Sequence, residues 1–149
     1  MIRLAKATDE ADIRGCAIQA YAKYVPLIGR KPAPMVADFA AQIAAGLIFV
    51  AVDEWGAFQG FIVFHIQHDH VLLENVAVLP SVAGRGVGKS LINFCENTAR
   101  EPGLKAVHLY TNEKMTENLS IYPKLGYVEV DRRTEEGFSR VYFEKRLAP

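Results

Sequence analysis

Apolar residues follow two different periods along this chain, and together these periods predict a mixed α/β domain. Segments in which apolar and polar residues alternate, or in which a short apolar run ends at turn residues, are typical of strands. Segments in which apolar residues recur every three or four positions are typical of helices with one buried face. The predicted strands lie at about 2–7, 47–53, 58–66, 71–79 and 104–110, with two more on either side of a turn at 135–137.

The predicted helices alternate with these strands. The first carries Ile13 and Tyr21 on one side, and a second covers about 35–45. A third follows residue 86, and a fourth, short one ends at Gly126. The resulting order is strand, two helices, three strands, helix, strand, helix and two strands, which predicts an α/β sheet domain with mixed strand directions.

Polar residues, prolines and glycines mark the expected helix ends. Asp9 is a suitable N-terminal cap for the first helix, because a short side-chain oxygen can accept from a free backbone N–H of the first turn. Prolines between Pro26 and Pro34 should break that helix, since proline removes a donor and clashes with the preceding turn. Gly46 should end the second helix, and Pro102 with Gly103 the third.

Length and composition agree with one domain over residues 1–149. A chain of this length buries roughly 68–70% of the surface that its unfolded form exposes, which is enough for one core. The 17 basic and 17 acidic side chains balance, so charge does not favour a nucleic-acid or membrane partner. No apolar run approaches the ~20 residues of a membrane span, and residues 1–6 lack a secretory apolar region. We therefore expect a cytoplasmic protein in which the isolated Cys16 and Cys95 are reduced structural thiols.

A glycine-rich loop after the fourth predicted strand has the layout of an anion site. Gly84, Gly86 and Gly88 permit a tight turn, so that consecutive N–H groups of the loop and the first helical turn can converge on a phosphate. The nucleotide loop G-x-x-x-x-G-K-[ST] would need its first glycine at Ala83. The dinucleotide pattern G-x-G-x-x-G fails as well, because Lys89 and Leu91 stand where its third glycine should be in the two possible frames. A purely structural turn also collects glycines, so the loop by itself leaves function open.

Two blocks of sequence together resemble the GNAT superfamily of acyl-CoA-dependent N-acetyltransferases. The first is the pattern Gln/Arg-x-x-Gly-x-Gly, met at 83–88 except that Ala83 stands where the family has Gln or Arg. The second is the family's Tyr-x-x-x-Gly-Phe/Tyr, met by Tyr122, Gly126 and Tyr127. The resemblance covers roughly residues 70–130 and implies a mostly antiparallel central sheet of about seven strands with helices on both faces.

The resemblance also implies acetyl-CoA as acetyl donor and assigns residues to hold it. The family loop binds the pyrophosphate of coenzyme A through backbone amides, and the fourth strand pairs with the pantetheine arm. Asn118 is a further expected contact to the cofactor. Carried over to this chain, the cofactor-binding residues are Val76, Ala77, Val78, Ala83, Gly84, Arg85, Gly86, Val87, Gly88, Lys89, Ser90 and Asn118.

Tyr122 and Glu74 are the predicted catalytic residues. Tyr122 matches the family tyrosine that acts as general acid towards the leaving thiolate, and a phenol is protonated at neutral pH. The alternative for Tyr122 is ordinary helix packing, and Pro123 beside it changes its expected orientation. Glu74, in phase with Leu72 and Val76, is expected to deprotonate the amine directly or through water. A structural, salt-bridged Glu74, with ordered water as the base, stays open.

The acceptor site should involve the first two helices and the last hairpin, by resemblance to the family. The region around Phe138 represents that hairpin. His65, His68 and His70 match no strong zinc spacing, so no metal is predicted. The predicted substrate-binding residues are Tyr21, Tyr24, Ile28, Arg30 and Lys31.

The sequence thus predicts an acetyl-CoA-dependent N-acetyltransferase in which a primary amine attacks the thioester directly, within a ternary complex. The amine is a small molecule or a peptide, and a homodimer stays open. The alternatives are transfer of a different acyl group, an acyl-CoA-binding or regulatory domain without turnover, and a nucleotide phosphohydrolase.

Overall fold

A seven-stranded sheet forms the centre of the part of the chain that the structure, a computed structural model, describes, residues 1–148. The strand order is β1-β2-β3-β4-β5-β7-β6, and every neighbouring pair is antiparallel except β4 with β5. The predicted mixed, mostly antiparallel fold is therefore confirmed. The strands are β1 (Ile2–Leu4), β2 (Ile48–Val52), β3 (Phe58–Ile66), β4 (His70–Val78), β5 (Ala106–Asn112), β6 (Val128–Glu135) and β7 (Phe138–Arg146).

Helices cover both faces of the sheet and bury two separate cores. Side chains alternate between the faces of a strand, so in β3 Phe61 packs below α1 and α3, while Ile62 packs below α4 and α5. We call these the α1 core and the α4 core. No helix within residues 1–148 has the length and apolar character needed to cross a membrane. The helices are α1 (Glu10–Tyr21), α2 (Val25–Ile28), α3 (Phe39–Ala44), α4 (Val87–Arg100) and α5 (Thr116–Lys124).

The helical path ends within the predicted segment from Pro26 to Pro34, but Pro26 is not the residue that ends it. Pro26 lies in the first turn of α2, where the backbone N–H that proline lacks would have no helical acceptor. The chain leaves the helical path at Gly29, whose φ of 91° is the left-handed conformation that glycine tolerates. A 3₁₀ turn at Ala33–Met35 follows, so the second predicted helix begins only at Phe39.

Asp9 does not cap α1 through its side chain, contrary to prediction. Its carboxylate accepts two hydrogen bonds from the Arg3 guanidinium, at 2.8 and 3.0 Å, and one from the Lys6 backbone N–H at 2.7 Å. The Arg3 hydrogen bond lowers the pKa of Asp9, and the pair fastens β1 to the start of α1.

A β-bulge at Glu74 changes which face of the sheet the side chains of β4 point to. Val63 of β3 pairs with Asn75 and Phe64 pairs with Leu73, so Glu74 is the extra residue. Leu73 therefore faces the α4 core, whereas Ala77, four residues on, faces the α1 core. The predicted phase of Glu74 with Val76 is wrong, because Val76 packs on the α4 core and Glu74 bonds to α3 on the opposite face.

Strands β4 and β5 separate immediately after this point. They pair only from His70 with Ala106 to Leu73 with Leu109. Beyond these pairs, β5 continues beside β7 as far as Asn112, while β4 continues beside β3 as far as Val78. The edges of the two strands that face each other are left without a strand partner, and a gap opens in the sheet.

Candidate functional site

A cavity of about 350 Å³ lies where β4 and β5 separate. Tyr122 and Leu109 line it from the side of the α4 core, and Tyr21 lines it from the side of the α1 core. Side chains from both faces of the sheet therefore line one cavity at this gap.

The glycine loop lies beyond the far end of β4 and leads into α4. Gly84 and Gly86 both have φ of 81°, and no heavy atom lies within 4 Å of the place where a Cβ would stand. The first bond of the helix runs from Ser90 N–H to the Gly86 carbonyl, so the N–H groups of the first turn have no helical acceptor. At Gly88 a Cβ would lie 3.5 Å from a methyl group of Val78. The loop is thus an open backbone donor site at the positive end of a helix dipole.

Strand β4 connects this loop to the cavity. Of the three strand residues predicted to hold the cofactor, Val76 lines the cavity, while Ala77 and Val78 lie between the cavity and the loop. The Tyr21 hydroxyl lies 3.0 Å from the Val76 carbonyl oxygen and 2.8 Å from Asn75 Oδ1, to which it donates. Tyr21 therefore braces the unpaired part of β4 from the side of α1.

Tyr122 projects from α5 into the cavity. Its ring packs against Tyr127 at 5.7 Å and Phe143 at 5.8 Å, and its hydroxyl makes no hydrogen bond to residues 1–148. Burial raises the pKa of Tyr122, so the phenol stays protonated at neutral pH. Pro123 is accommodated within α5, which continues to Lys124. A buried ring with a free hydroxyl is a hydrogen-bond donor ready for a ligand.

Glu74 lines the cavity from the bulge and is held on both oxygens. Its Oε2 accepts a 2.5 Å hydrogen bond from Gln42 Nε2 of α3, and its Oε1 lies 2.7 Å from His65 Nε2. Each carboxylate oxygen retains a further lone pair for another donor. The other amide atom, Gln42 Oε1, is buried and has no partner among residues 1–148. A carboxylate beside an imidazole can take up a proton and share it.

Two of the asparagines that line the cavity hold neighbouring segments together, and only Asn118 was predicted as a site residue. Asn118, the predicted cofactor contact, lines the cavity and donates a 3.1 Å hydrogen bond to Thr111 Oγ1. Asn75, which the sequence did not single out, is buried and donates to the Pro34 carbonyl at 3.0 Å. It therefore ties β4 to the segment before α3.

Arg140 of β7 is the cationic residue that sequence reasoning missed. Its guanidinium lines the cavity, lies 4.5 Å from the centre of the Tyr110 ring and 5.7 Å from that of Phe138. Its nearest carboxylate is Glu135 at 3.7 Å, beyond hydrogen-bonding distance. Arginine on a charged terminal hairpin resembles solvated surface charge, so the sequence carried no signal for this position.

Four residues predicted for the acceptor site do not line the cavity. Tyr24 is buried in the α1 core, Ile28 packs against it, and Lys31 is exposed. Arg30 stacks on Phe138 at 3.6 Å and donates to the Glu136 carbonyl, so it supports a ring that does line the cavity. Their predicted contact with the acceptor stays a prediction.

Comparison with known proteins agrees with this architecture. The family model described as the acetyltransferase (GNAT) family matches residues 18–127. The chain is similar to the uncharacterised N-acetyltransferase YjgM of Escherichia coli strain K12, with 32% identity over 65 residues, which are 44% of this chain and 39% of that protein. The match thus spans about two fifths of the relative's length.

Two solved structures share the fold over almost the whole chain. The PaiA N-acetyltransferase of Thermoplasma acidophilum, in complex with coenzyme A, is 17% identical, with a TM-score of 0.79 and 98% of each chain covered. A GNAT family acetyltransferase of Staphylococcus aureus Mu50 is 14% identical, with a TM-score of 0.80 and 99% of each chain covered. At these identities the likeness concerns the fold.

Proposed function

This chain belongs to the acetyltransferase (GNAT) family, and we propose that it moves the acetyl group of acetyl-CoA to a primary amine by direct attack in a ternary complex. The observation that carries the proposal is the cavity at the gap between β4 and β5, which side chains from both faces of the sheet line. Such a cavity can hold a donor and an acceptor side by side, and holding two reactants together is itself a large source of rate acceleration.

The glycine loop is the proposed site for the pyrophosphate of acetyl-CoA. The unpaired N–H groups after Gly86 and the helix dipole favour an anion there, and the left-handed glycines keep side chains out of its way. The remaining loop residues from Ala83 to Ser90 would surround it. From there the pantetheine arm would follow the free edge of β4 past Val78, Ala77 and Val76 into the cavity. The structurally similar T. acidophilum enzyme was solved in complex with coenzyme A, which supports acetyl-CoA as the donor.

Tyr122 is the proposed donor to the leaving sulfur. When the amine nitrogen bonds to the acetyl carbon, the carbon–sulfur bond breaks and the sulfur takes up negative charge. A protonated phenol at the cavity wall can donate a hydrogen bond to that sulfur and deliver its proton. Because burial raises the Tyr122 pKa, the phenol stays protonated and acts first as a fixed hydrogen-bond donor to the sulfur. Its proton moves to the sulfur only as negative charge develops there.

Glu74 is the proposed acceptor of the proton that the incoming ammonium must lose. Its contact with His65 gives that proton a second position, farther from the reacting atoms. Gln42 and the bulge fix the carboxylate in place, so that no reorganisation is needed before attack. The bond balance is one N–C bond formed and one C–S bond broken. The ammonium loses two protons, of which one ends on the leaving sulfur and the other passes by way of Glu74 to solvent.

Direct attack is favoured over a covalent acyl-enzyme by the state of the cysteines. Cys16 and Cys95 are both buried, and burial raises the pKa of each thiol to about 12. Neither lines the cavity. A thiol that stays protonated and lies away from the gap is a poor nucleophile.

Calorimetric titration with acetyl-CoA, coenzyme A and ATP, each with and without Mg²⁺, tests the proposal. We expect saturable, Mg²⁺-independent binding of acetyl-CoA and none of ATP; preference for Mg-ATP would favour a phosphohydrolase and overturn it. Gly86→Ala strains a left-handed position by about 1–2 kcal/mol and places a methyl group in the open space proposed for the ligand, so acetyl-CoA binding should weaken.

Gly56→Ala is the matched control for this variant. Gly56 has a φ of 83° in the turn after β2, with nothing within 4 Å of its Cβ position, so it carries the same strain away from the loop. The acetyl-CoA affinity of the Gly56→Ala variant should equal that of the unmodified protein.

The alternative functions give different outcomes in the same experiments. Acetyl-CoA binding without thiol release in the presence of any amine would favour an acyl-CoA-binding domain without turnover. Faster thiol release from longer acyl-CoA molecules would favour transfer of a different acyl group.

A further inference from the structure

We infer that the acceptor amine carries a carboxylate, which the guanidinium of Arg140 binds. This inference rests on the proposed function, because it names the chemical class of the acceptor for the same cavity. The observation behind it is an arginine that lines the cavity and donates no hydrogen bond to any residue from 1 to 148.

The Arg140 side chain is held in place although its guanidinium makes no hydrogen bond within residues 1–148. Only 12% of its side chain is exposed, and its flat guanidinium lies over Tyr110 and beside Phe138. Stacking on aromatic faces fixes the plane of the group and leaves its hydrogen-bonding edge available. Phe138 is itself fixed from the other side by Arg30, which stacks on it. The cation is therefore placed in advance of any ligand.

The carboxylate nearest to Arg140 does not saturate it. Glu135 approaches to 3.7 Å, and the same Glu135 oxygen accepts the hydrogen bond of Tyr142. The guanidinium N–H groups keep contact with solvent, so a ligand that supplies acceptors would replace water there. A planar carboxylate suits the guanidinium fork, because two parallel N–H groups can donate to its two oxygens.

Negatively charged side chains line the same cavity on the side of β4 and α3. Glu74 projects there from its bulge, with His65 and Gln42 in contact, and Asp38 lies at the start of α3. Arg140 lies two strands away from β4, on β7, where it pairs with Asn112 of β5. An ammonium at Glu74 and a carboxylate at Arg140 complement this distribution, so an amino acid or a short peptide with a free carboxyl end fits both poles.

Steady-state thiol release from acetyl-CoA tests the inference with a matched panel of acceptors. The panel contains amino acids with increasing separation of amine and carboxylate, dipeptides, and the carboxamide of each, which keeps the amine and lacks the anion. We expect the acids to exceed their amides at least tenfold in kcat/KM, with the best separation identifying a free amino acid or a dipeptide as the source of the carboxylate.

Arg140→Gln should remove this preference. The KM for the carboxylate acceptors should rise about 10- to 100-fold, while kcat/KM for the amides and the KM for acetyl-CoA stay unchanged. Arg140→Lys should recover part of the loss, because it keeps the charge without the fork. Arg146→Gln is the control, since Arg146 lies on the same strand with 74% of its side chain exposed.

The outcomes separate this inference from the function on which it rests. Equal use of acids and amides, a preference that survives Arg140→Gln, or acetyl-CoA binding with no carboxylate amine accepted would each overturn the inference and leave the transferase proposal standing. A protein that binds no acetyl-CoA overturns both. Loss of acetyl-CoA affinity in Arg140→Gln would instead place Arg140 in the donor site, against the inference.

Discussion

Strand β7 carries Lys145 on one face of the sheet and Arg140 on the other, and these two cationic side chains have opposite surroundings. Lys145 donates to Glu96 of α4 at 2.9 Å, and Glu96 also accepts from the Tyr127 hydroxyl at 2.9 Å. Glu96 is 2% exposed, and its buried charge is thus matched by neighbours. The guanidinium of Arg140, on the other face, is mostly buried and makes no hydrogen bond within the described residues, and its nearest carboxylate, that of Glu135, lies 3.7 Å away.

The difference separates polar groups that hold the fold from those available to a ligand. A buried charge that its own chain satisfies contributes to one folded arrangement and leaves nothing for another molecule to bind. A buried polar group left unsatisfied costs stability, and its partner is expected from outside. Tyr122 and Tyr127 repeat this contrast in two rings that touch each other, since only the second uses its hydroxyl within the fold.

The largest expected effect comes from breaking the satisfied cluster. Glu96→Ala removes the partner of Lys145 and of Tyr127, and it should lower the free energy of unfolding by about 3 kcal/mol. Urea unfolding measures this loss, with Glu101→Ala at the exposed end of α4 as the control. Acetyl-CoA affinity of the folded fraction should not change. A loss below about 1 kcal/mol would mean that the cluster behaves like an exposed ion pair.

Next in size is the exchange of the two tyrosines for phenylalanine. Tyr122→Phe should reduce kcat about 100-fold, because the sulfur loses its donor, while acetyl-CoA affinity and stability stay near their original values. Tyr127→Phe should do the reverse and cost about 1 kcal/mol of stability with kcat kept. Thiol-release kinetics measure kcat, and urea unfolding measures stability, for both variants. Equal kcat in the two variants would remove Tyr122 from the chemistry.

A smaller effect is expected at Glu74, and it should depend on pH. Glu74→Gln keeps much of the contact with Gln42 and His65 but cannot take up a proton, so kcat/KM near neutral pH should fall about tenfold. The defect should shrink as the pH rises, because a growing share of the amine is then already deprotonated. A pH series of kcat/KM for the two proteins measures this. A defect that is constant across pH would assign Glu74 a structural role, with water as the base.

Local patterns allowed much of the architecture to be predicted before the structure. The short apolar run Phe61, Ile62, Val63 and Phe64 indicated a strand, and in the structure its side chains enter the two cores in turn. Pro26 misled because its effect depends on position, and in the first turn of a helix proline is tolerated. Arg140 was missed because its burial arises from Tyr110 and Phe138, and no local pattern around it records that.

What the sequence by itself determined is the set of features that depend on near neighbours in the chain. Glycine spacing prescribes the left-handed loop before α4, and hydrophobic periods prescribe strands and helices, because sterics and burial act over a few residues. Only the tertiary structure decided that β4 carries a bulge at Glu74 and parts from β5, and that Gln42, Tyr122 and Arg140 meet at the gap. These features depend on contacts between residues far apart in sequence, so the cavity and its unpaired cation exist only once the whole sheet has formed.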